Sequence, residues 1–296
     1  MIKSSNTLSC FMVFMAGVLW GTMAIFSKTL TQGYGFSATE VVCLRGLTCS
    51  LIVGIVLLIK DKSLFKIRIK DLWIFAGNGI FSLVLFNVCY FTAINLVGAS
   101  TACILLYTAP VFVMLMSSLF FKERITLIKV CAMILSFAGC VMVLSKDFKA
   151  NLAGILIGLT SGVGYALYSI FGKYATKKCY SSLTITFYSF LIAFLFLLPL
   201  CDFNNMAIGF SADLYSYLWV LGAGTVVTAI PYFLYTKGIE SIENSKAIII
   251  ASIEPVVATI TGVLCFGQSM GILELSGVAT VIFSIVLLNV KSVKNY

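Results

Sequence analysis

One carboxylate stands out in this chain: Glu254, about ten residues into an apolar stretch that runs on past Pro255. Holding an acidic group at the middle of a membrane helix costs about 2.5–3.5 kcal/mol on insertion scales. A group kept at that cost is a candidate to bind and release a proton, so Glu254 is read as a substrate-binding and coupling residue. The competing role is local, capping backbone groups freed by Pro255 or pairing with Arg45, the other ionisable group deep in an apolar segment. Around these charges the sequence offers aromatic and amide side chains: Trp20, Asn78, Asn87, Tyr90 and Tyr107 in the first half, Tyr165, Tyr168, Tyr232 and Tyr235 in the second. An aromatic wall suits a hydrophobic side chain or, through cation–π contact, a quaternary ammonium. Tyr and Trp also populate interfacial belts, which fits Trp73 and Trp219 better than Trp20. Catalytic chemistry finds little purchase. The chain has no histidine, which removes His-based catalysis and the usual zinc sites. It also lacks a G-x-S-x-G elbow, a paired-aspartate motif and a G-x-x-x-x-G-K-[ST] loop. No catalytic residue, metal or cofactor is expected.

The elements that position these residues are membrane helices. Apolar residues make up 60% of the chain and charged ones 10%, against roughly 45–50% and 25% in soluble domains. At about 20 residues per crossing, the charges mark out ten stretches near 9–30, 38–59, 71–93, 98–121, 126–145, 152–174, 182–200, 214–236, 245–266 and 271–290. The longest interruptions, about 60–70 and 201–213, leave no room for a soluble catalytic domain. The first stretch is too long for a signal peptide and is followed by no A-x-A-like cleavage site. The ten cysteines contain no C-x-x-C pair and read as small hydrophobes, with Cys201 and Cys265 the pair to test for a bridge.

The two halves repeat at a fixed spacing, 255 − 110 = 145 between Pro110 and Pro255. The same shift superposes Gly17-Val18 on Gly162-Val163, Lys28 on Lys173, Gly77 and Gly79 on Gly222 and Gly224, and Tyr90 on Tyr235. Five spans per half is odd, so the second half enters from the opposite side. Loop charges agree. Lys60, Lys62, Lys66, Arg68 and Lys70 follow the second span, whereas its mate carries Asp202 and Asp213 and no basic residue. By the positive-inside rule both termini lie in the cytoplasm, with Lys3, Lys122, Arg124, Lys237, Lys291 and Lys294 on that side and Lys146 and Lys149 as exceptions. The same rule accounts for the net charge of +9 without nucleic acid. Pro110 and Pro255 are read as mid-helix breaks or hinges, hence gating residues alongside Arg45 and Glu254. Gly154, Gly158 and Gly162, with Ala166, form a small-residue ridge for close helix packing.

Trp20-Gly21, Lys28, Arg45-Gly46, Tyr107-Thr108-Ala109-Pro110 ahead of Lys122-Glu123-Arg124, and Glu254-Pro255-Val256 together resemble the EamA branch of the drug/metabolite transporter superfamily, over about residues 8–290. The resemblance implies an all-α integral membrane protein of ten transmembrane helices in two inverted five-helix repeats, 8–145 and 152–290. A central cavity would be lined mainly by spans 1, 3, 4, 6, 8 and 9. Members carry amino acids, other small metabolites, toxic cations or choline-like solutes. One departure is that the acidic residue closing the penultimate helix is present as Glu123 in the first half and replaced by Gln268 in the second. The expected function is secondary transport by alternating access in the plasma membrane, export of amino acids or related compounds, with proton coupling at Glu254. The alternative is uptake or efflux of a choline-like or other cationic solute. The expected partners are a small-molecule substrate and the bilayer, and the oligomeric state is left open.

Overall fold

The computed structural model describes residues 2–144, 151–267 and 270–290, so Lys146, Asp147, Lys149, Gln268, Lys291 and Lys294 fall outside the described residues. All regular structure among the described residues is helical, which is what a chain in lipid requires if each backbone N–H and C=O is to be bonded within its own segment. Among the described residues nine helices are long and apolar enough to cross a membrane: spans 1 to 9 are Asn6–Gly33, Ala38–Lys60, Ile69–Val97, Ala99–Phe121, Leu127–Leu144, Leu152–Lys177, Ser182–Leu200, Tyr215–Ser241 and Asn244–Phe266. Span 10 is the shorter apolar helix Ile272–Leu288. The expected positions hold, with spans 1, 3 and 8 extending several residues further. The stretch 201–213, expected as a loop, contains a short helix, Phe203–Ser211, which Asp202 caps by accepting from the Asn204 and Asn205 amides. Large apolar side chains such as Leu119, Leu264 and Ile272 face outward, as suits a bundle solvated by lipid.

The repeat is written into the backbone as well as the sequence. Span 4 is two helices, ending at Leu106 and restarting at Ala109; span 9 ends at Ala251 and restarts at Glu254. Both breaks fall at the same place, since 106 + 145 = 251 and 109 + 145 = 254. Wider π-helical turns occur at Gly77–Val84 in span 3 and Thr225–Ala229 in span 8. Left-handed caps close spans 4 and 9 at Lys122 (φ 57°) and Gly267 (φ 63°), again 145 residues apart.

These breaks correct one expectation. Pro110 and Pro255 do not interrupt a continuous helix; each is the second residue of a new helical segment, where a missing N–H costs nothing because the first amides of a helix have no internal partner. The interruption itself lies upstream, at Tyr107-Thr108 and Ser252-Ile253. Symmetry fails in span 1, which is broken at Thr22 with the hydroxyl bonded to Leu19 O at 2.8 Å. Its mate, span 6, runs unbroken from Leu152 to Lys177.

Glycines let a helix lie directly on each break. A Cβ placed on Gly17 of span 1 would come within 2.7 Å of Ala251 O, and one on Gly21 within 2.7 Å of Glu254 O. In the other half a Cβ on Gly162 of span 6 would meet Thr108 Oγ1 at 2.8 Å and Leu105 O at 3.1 Å. The ridge Gly154, Gly158 and Gly162 packs against Leu96, Leu105 and Thr108. The ends of the bundle follow from such contacts. Lys28 lies 3.9 Å over the Phe266 ring, at the end of span 9, whereas its mate Lys173 donates to Ile239 O and Ile242 O, just before span 9 begins. Phe121 and Tyr174 meet at 5.5 Å, so spans 4 and 6 finish together.

Candidate functional site

The break in span 9 puts Glu254 at the first position of the helix Glu254–Phe266. Helix N-termini favour negative charge, burial opposes it, and the carboxyl sits where the two meet. Tyr165 of span 6 donates its hydroxyl to Glu254 Oε2 at 3.3 Å, and Tyr107 of span 4 lines the same cavity. Tyr107, Pro110, Tyr165, Ala251, Ser252 and Glu254 line a cavity of about 10 Å³, room for a single water molecule. The two broken helices and span 6 therefore close on this acid from three sides.

An aromatic cluster continues from it. The Trp20 ring lies 6.2 Å from Tyr165, 5.0 Å from Tyr232 and 5.5 Å from Tyr235. Tyr168 is 4.9 Å from Tyr232 in an edge-on arrangement. The lower tyrosines are fixed by hydroxyl pairs, Tyr168 with Thr236 at 2.9 Å and Tyr235 with Ser169 at 2.6 Å. Trp20 is buried, and among the described residues its Nε1–H has no acceptor. A buried donor without a partner forfeits roughly 1–3 kcal/mol, a cost an incoming acceptor would recover.

Of the expected site residues, Trp20, Tyr107, Tyr165, Tyr168, Tyr232 and Glu254 come together, with Pro110 on the cavity wall. Tyr90 reaches Cys103 Sγ at 3.4 Å at the edge of the group. Asn78 and Asn87 are used elsewhere: the Asn78 amide donates to Ser189 of span 7 at 2.8 Å, and Asn87 folds back onto Leu83 O of its own helix at 2.7 Å. Arg45 does not pair with Glu254 or Glu40. Its Nε donates to Thr228 Oγ1 of span 8 at 2.8 Å. Glu40 instead completes a capping box with Ser37 and accepts from Asn205 at 2.7 Å. Thr228 and Thr236 were not singled out in the sequence, although a signal existed: the 145-residue shift sets them over Leu83 and Phe91.

The ends of the bundle differ in chemistry. Near the start of span 9, Glu123 accepts from the Asn244 amide at 2.8 Å and from the Ser245 hydroxyl at 2.6 Å, which caps span 9 with a carboxylate from the other half. Lys129 pairs with Glu243 at 2.7 Å, Lys237 with Glu240 at 2.6 Å, and Lys178 with Asp71. An open depression of about 450 Å³ there is lined by Lys173, Lys177, Lys237 and Glu240. Its cations are already engaged, Lys177 over the Phe121 ring at 4.6 Å, so it is the weaker candidate despite its size. At the opposite end the closure is largely neutral. Phe36 packs on Phe210 at 5.1 Å and the Tyr34 hydroxyl donates to Asp213 at 3.4 Å. All ten cysteines are free, with Cys201 buried and Cys265 exposed, so the pair considered for a bridge is unjoined.

The profile of the EamA-like transporter family matches residues 7–145 and again 152–290. The chain belongs to this family. EamA-like proteins are transporters, not enzymes, and this one is a multi-pass membrane transporter. Among curated relatives, an uncharacterized transporter of Archaeoglobus fulgidus is 28% identical over 93% of this chain and 94% of its own length. An uncharacterized transporter of Clostridium kluyveri is 24% identical over 96% and 91%, and the uncharacterized inner membrane transporter YicL of Salmonella typhimurium 23% over 95% and 94%. A solved crystal structure superposes with a TM-score of 0.76 at 18% identity, covering 97% of this chain and 98% of that one, which extends the likeness to the fold. The EamA match and the 145-residue backbone repeat divide the chain in the same place.

Proposed function

We propose that this EamA-like protein exports amino acids or related metabolites by alternating access, with Glu254 binding substrate and carrying the coupling proton. The observation that carries the reading is the placement of one buried acid at the start of a broken helix, faced by Tyr107 and Tyr165 and flanked by an aromatic wall. The titratable groups that feel its charge are Tyr90 of span 3, Cys103 and Tyr107 of span 4, Cys140 of span 5, Tyr165 of span 6 and Tyr232 of span 8. A cavity of about 10 Å³ is closed to any metabolite, so binding requires the two halves, 8–145 and 152–290, to part. The positions of Lys28 and Lys173 at opposite ends of the bundle support an inverted repeat, and the basic loops support cytoplasmic termini in the plasma membrane. Energy would come from a gradient or from exchange.

A choline-like or other cationic solute is the second reading, favoured by the edge-on ring cluster of Trp20, Tyr168 and Tyr232. The test is flux into proteoliposomes of an amino acid panel and a quaternary amine panel at two internal pH values. Amino acid flux that changes with pH in the native protein and loses that change in Glu254→Gln is expected. Flux of the amines alone would replace the first reading with the second, and an unchanged pH profile in Glu254→Gln would remove the proton role.

A further inference from the structure

The three helices that enclose the Glu254 cavity, spans 4, 6 and 9, meet again at one end of the bundle, and there polar bonds tie them. Glu123, next after the left-handed turn that closes span 4, reaches the start of span 9. It accepts three hydrogen bonds, from Asn244 N at 2.8 Å, Ser245 N at 3.2 Å and Ser245 Oγ at 2.6 Å. Those two amides open a helix and have no partner within it, so a carboxylate from another span satisfies them, at the helix end that favours negative charge. The Asn244 side chain donates to Ser169 O of span 6 at 3.0 Å. Beside them Lys129 of span 5 is held between Glu243 Oε2 at 2.7 Å and Arg124 O at 2.8 Å. Asn244 and Ser245 are 0% and 1% exposed, so water reaches their amides only when spans 4 and 9 part.

The repeat gives the opposite end the same backbone without the same tie. The 145-residue shift carries Glu123 to Gln268 and Lys129 to Glu274, and it sets Glu243, Asn244 and Ser245 over Gly98, Ala99 and Ser100. The acid and base that pair at one end thus become a glycine and an acid at the other, and Glu274 accepts from the Gly271 amide of its own segment at 2.8 Å. Space is looser there too: a Cβ on Gly98, before span 4, or on Gly267, after span 9, would meet nothing within 4 Å. Closure at that end falls to other elements. Phe36 packs on Gly209 and Phe210 of the short helix Phe203–Ser211, and Asn205 donates to Glu40 of span 2 at 2.7 Å.

We propose that Glu123 is the latch of one gate: its bonds to Asn244 and Ser245 hold spans 4 and 9 together, and their release is what lets the Glu254 cavity open at this end. The opposite end has no matching latch, so it opens more readily, and the protein rests with the Glu123 end shut. By loop charge the latched end is the cytoplasmic one. Release of the latch is then the step that admits a molecule from the cytoplasm. Lys129 and Glu243 act as positioning residues, fixing the chain on either side of the latch. The inference rests on the alternating-access reading above and adds which of the two gates is locked and by which side chain.

The experiment is hydrogen–deuterium exchange, read by mass spectrometry on the full chain in lipid nanodiscs, for the native protein, Glu123→Ala, Glu123→Asp, Ser245→Ala and Phe36→Ala. In alternating access a shift toward one open state depopulates the other. Glu123→Ala should therefore speed exchange at 243–249 by about 10- to 100-fold, the range of one hydrogen bond to a charged group. It should also speed exchange at the break, 251–254, as water enters, and slow it at 98–104. Ser245→Ala, which removes one of the three bonds, should give the same pattern to a smaller extent, and Glu123→Asp should restore part of the native one. Phe36→Ala, at the opposite end, should reverse the signs. A rise confined to 243–249 would make Glu123 a helix cap and overturn the latch, as would a rise at both ends, the mark of general loosening. If Phe36→Ala moves the two ends in opposite directions and Glu123→Ala does not, the latch falls and alternating access stands. If neither variant does, alternating access falls with it. Should Glu123→Ala fail to fold, Ser245→Ala with 98–104 unchanged is the overturning result.

Discussion

Spans 4 and 9 have the same backbone and different chemistry. Each breaks two residues before a fresh helix whose second residue is proline, and each is overlaid at the break by a glycine of the other packing helix, Gly162 on span 4 and Gly17 on span 9. Yet the first residue of the new helix is Ala109 in one and Glu254 in the other. Ala109 is fully buried among Val113, Met114, Ala132 and Ile249, whereas Glu254 opens onto Tyr107 and Tyr165. The duplication kept the hinge geometry twice and placed the acid once. Shared backbone with unshared side chains is what the proposed mechanism needs, in which both halves move alike and only one carries the proton.

The sharpest way to break the comparison is to move the acid. Ala109→Glu should cost about 3 kcal/mol, the insertion penalty of a lone acid, because the side chains it packs with, Val113, Met114, Ala132 and Ile249, are apolar. The expected result is a loss of folded protein by size exclusion in detergent, while Glu254→Gln remains monodisperse and fails only in the pH dependence of transport. An Ala109→Glu protein as stable as the native one would mean that the environments of the two breaks are equivalent after all.

Much of this contrast is legible in the sequence, because the 145-residue shift is uninterrupted and a charge over an alanine is visible without coordinates. Span positions were legible for the same reason that membrane segments generally are: length and hydropathy are fixed by the bilayer. The π turns of spans 3 and 8, the Thr22 break and the helix Phe203–Ser211 were not, since each depends on local hydrogen bonding that hydropathy does not record. Asn78 and Asn87 illustrate a different limit. Sequence shows that an amide is buried but not which neighbour claims it, and Ser189 and Leu83 O claim these two. Thr228 and Thr236 went the other way, ordinary in composition and decisive in position.

The glycines sharpen the comparison at the next level of effect. Gly17→Ala would press a methyl group into Ala251 O and Ile253 Cγ2, both at 2.7 Å from the ideal Cβ, with Ala251 Cα at 3.2 Å behind them. Gly162→Ala meets the Thr108 hydroxyl at 2.8 Å, which can give way only by loosening its bond to Leu105 O, and backbone only at 3.1 Å. Overpacking costs about 1–3 kcal/mol. Gly17→Ala should fall near the top of that range and Gly162→Ala near the bottom, read as thermal midpoints in detergent. Equal shifts in the two variants would show that the contacts at the two breaks carry the same load, contrary to their geometry.

The smallest effect lies at the far ends of the same two helices. Spans 4 and 9 both end in a left-handed residue, but Gly267 takes that conformation freely and Lys122 does not, since a side chain there crowds the following carbonyl at a cost of about 1–2 kcal/mol. Lys122 N still closes on Ser118 O at 3.1 Å and Glu123 N on Ser117 O at 3.3 Å, so the turn is needed to aim Glu123 at the start of span 9. Lys122→Gly keeps the turn and removes the crowding, while the added glycine entropy of the unfolded chain offsets part of the gain. The expected outcome is a rise in stability of no more than about 1 kcal/mol, with Gly267→Ala lowering it by a similar amount. A Lys122→Gly protein that is less stable than the native one would assign Lys122 a contact of its own at that end of the bundle, and the asymmetry between the two caps would then be chemical rather than conformational.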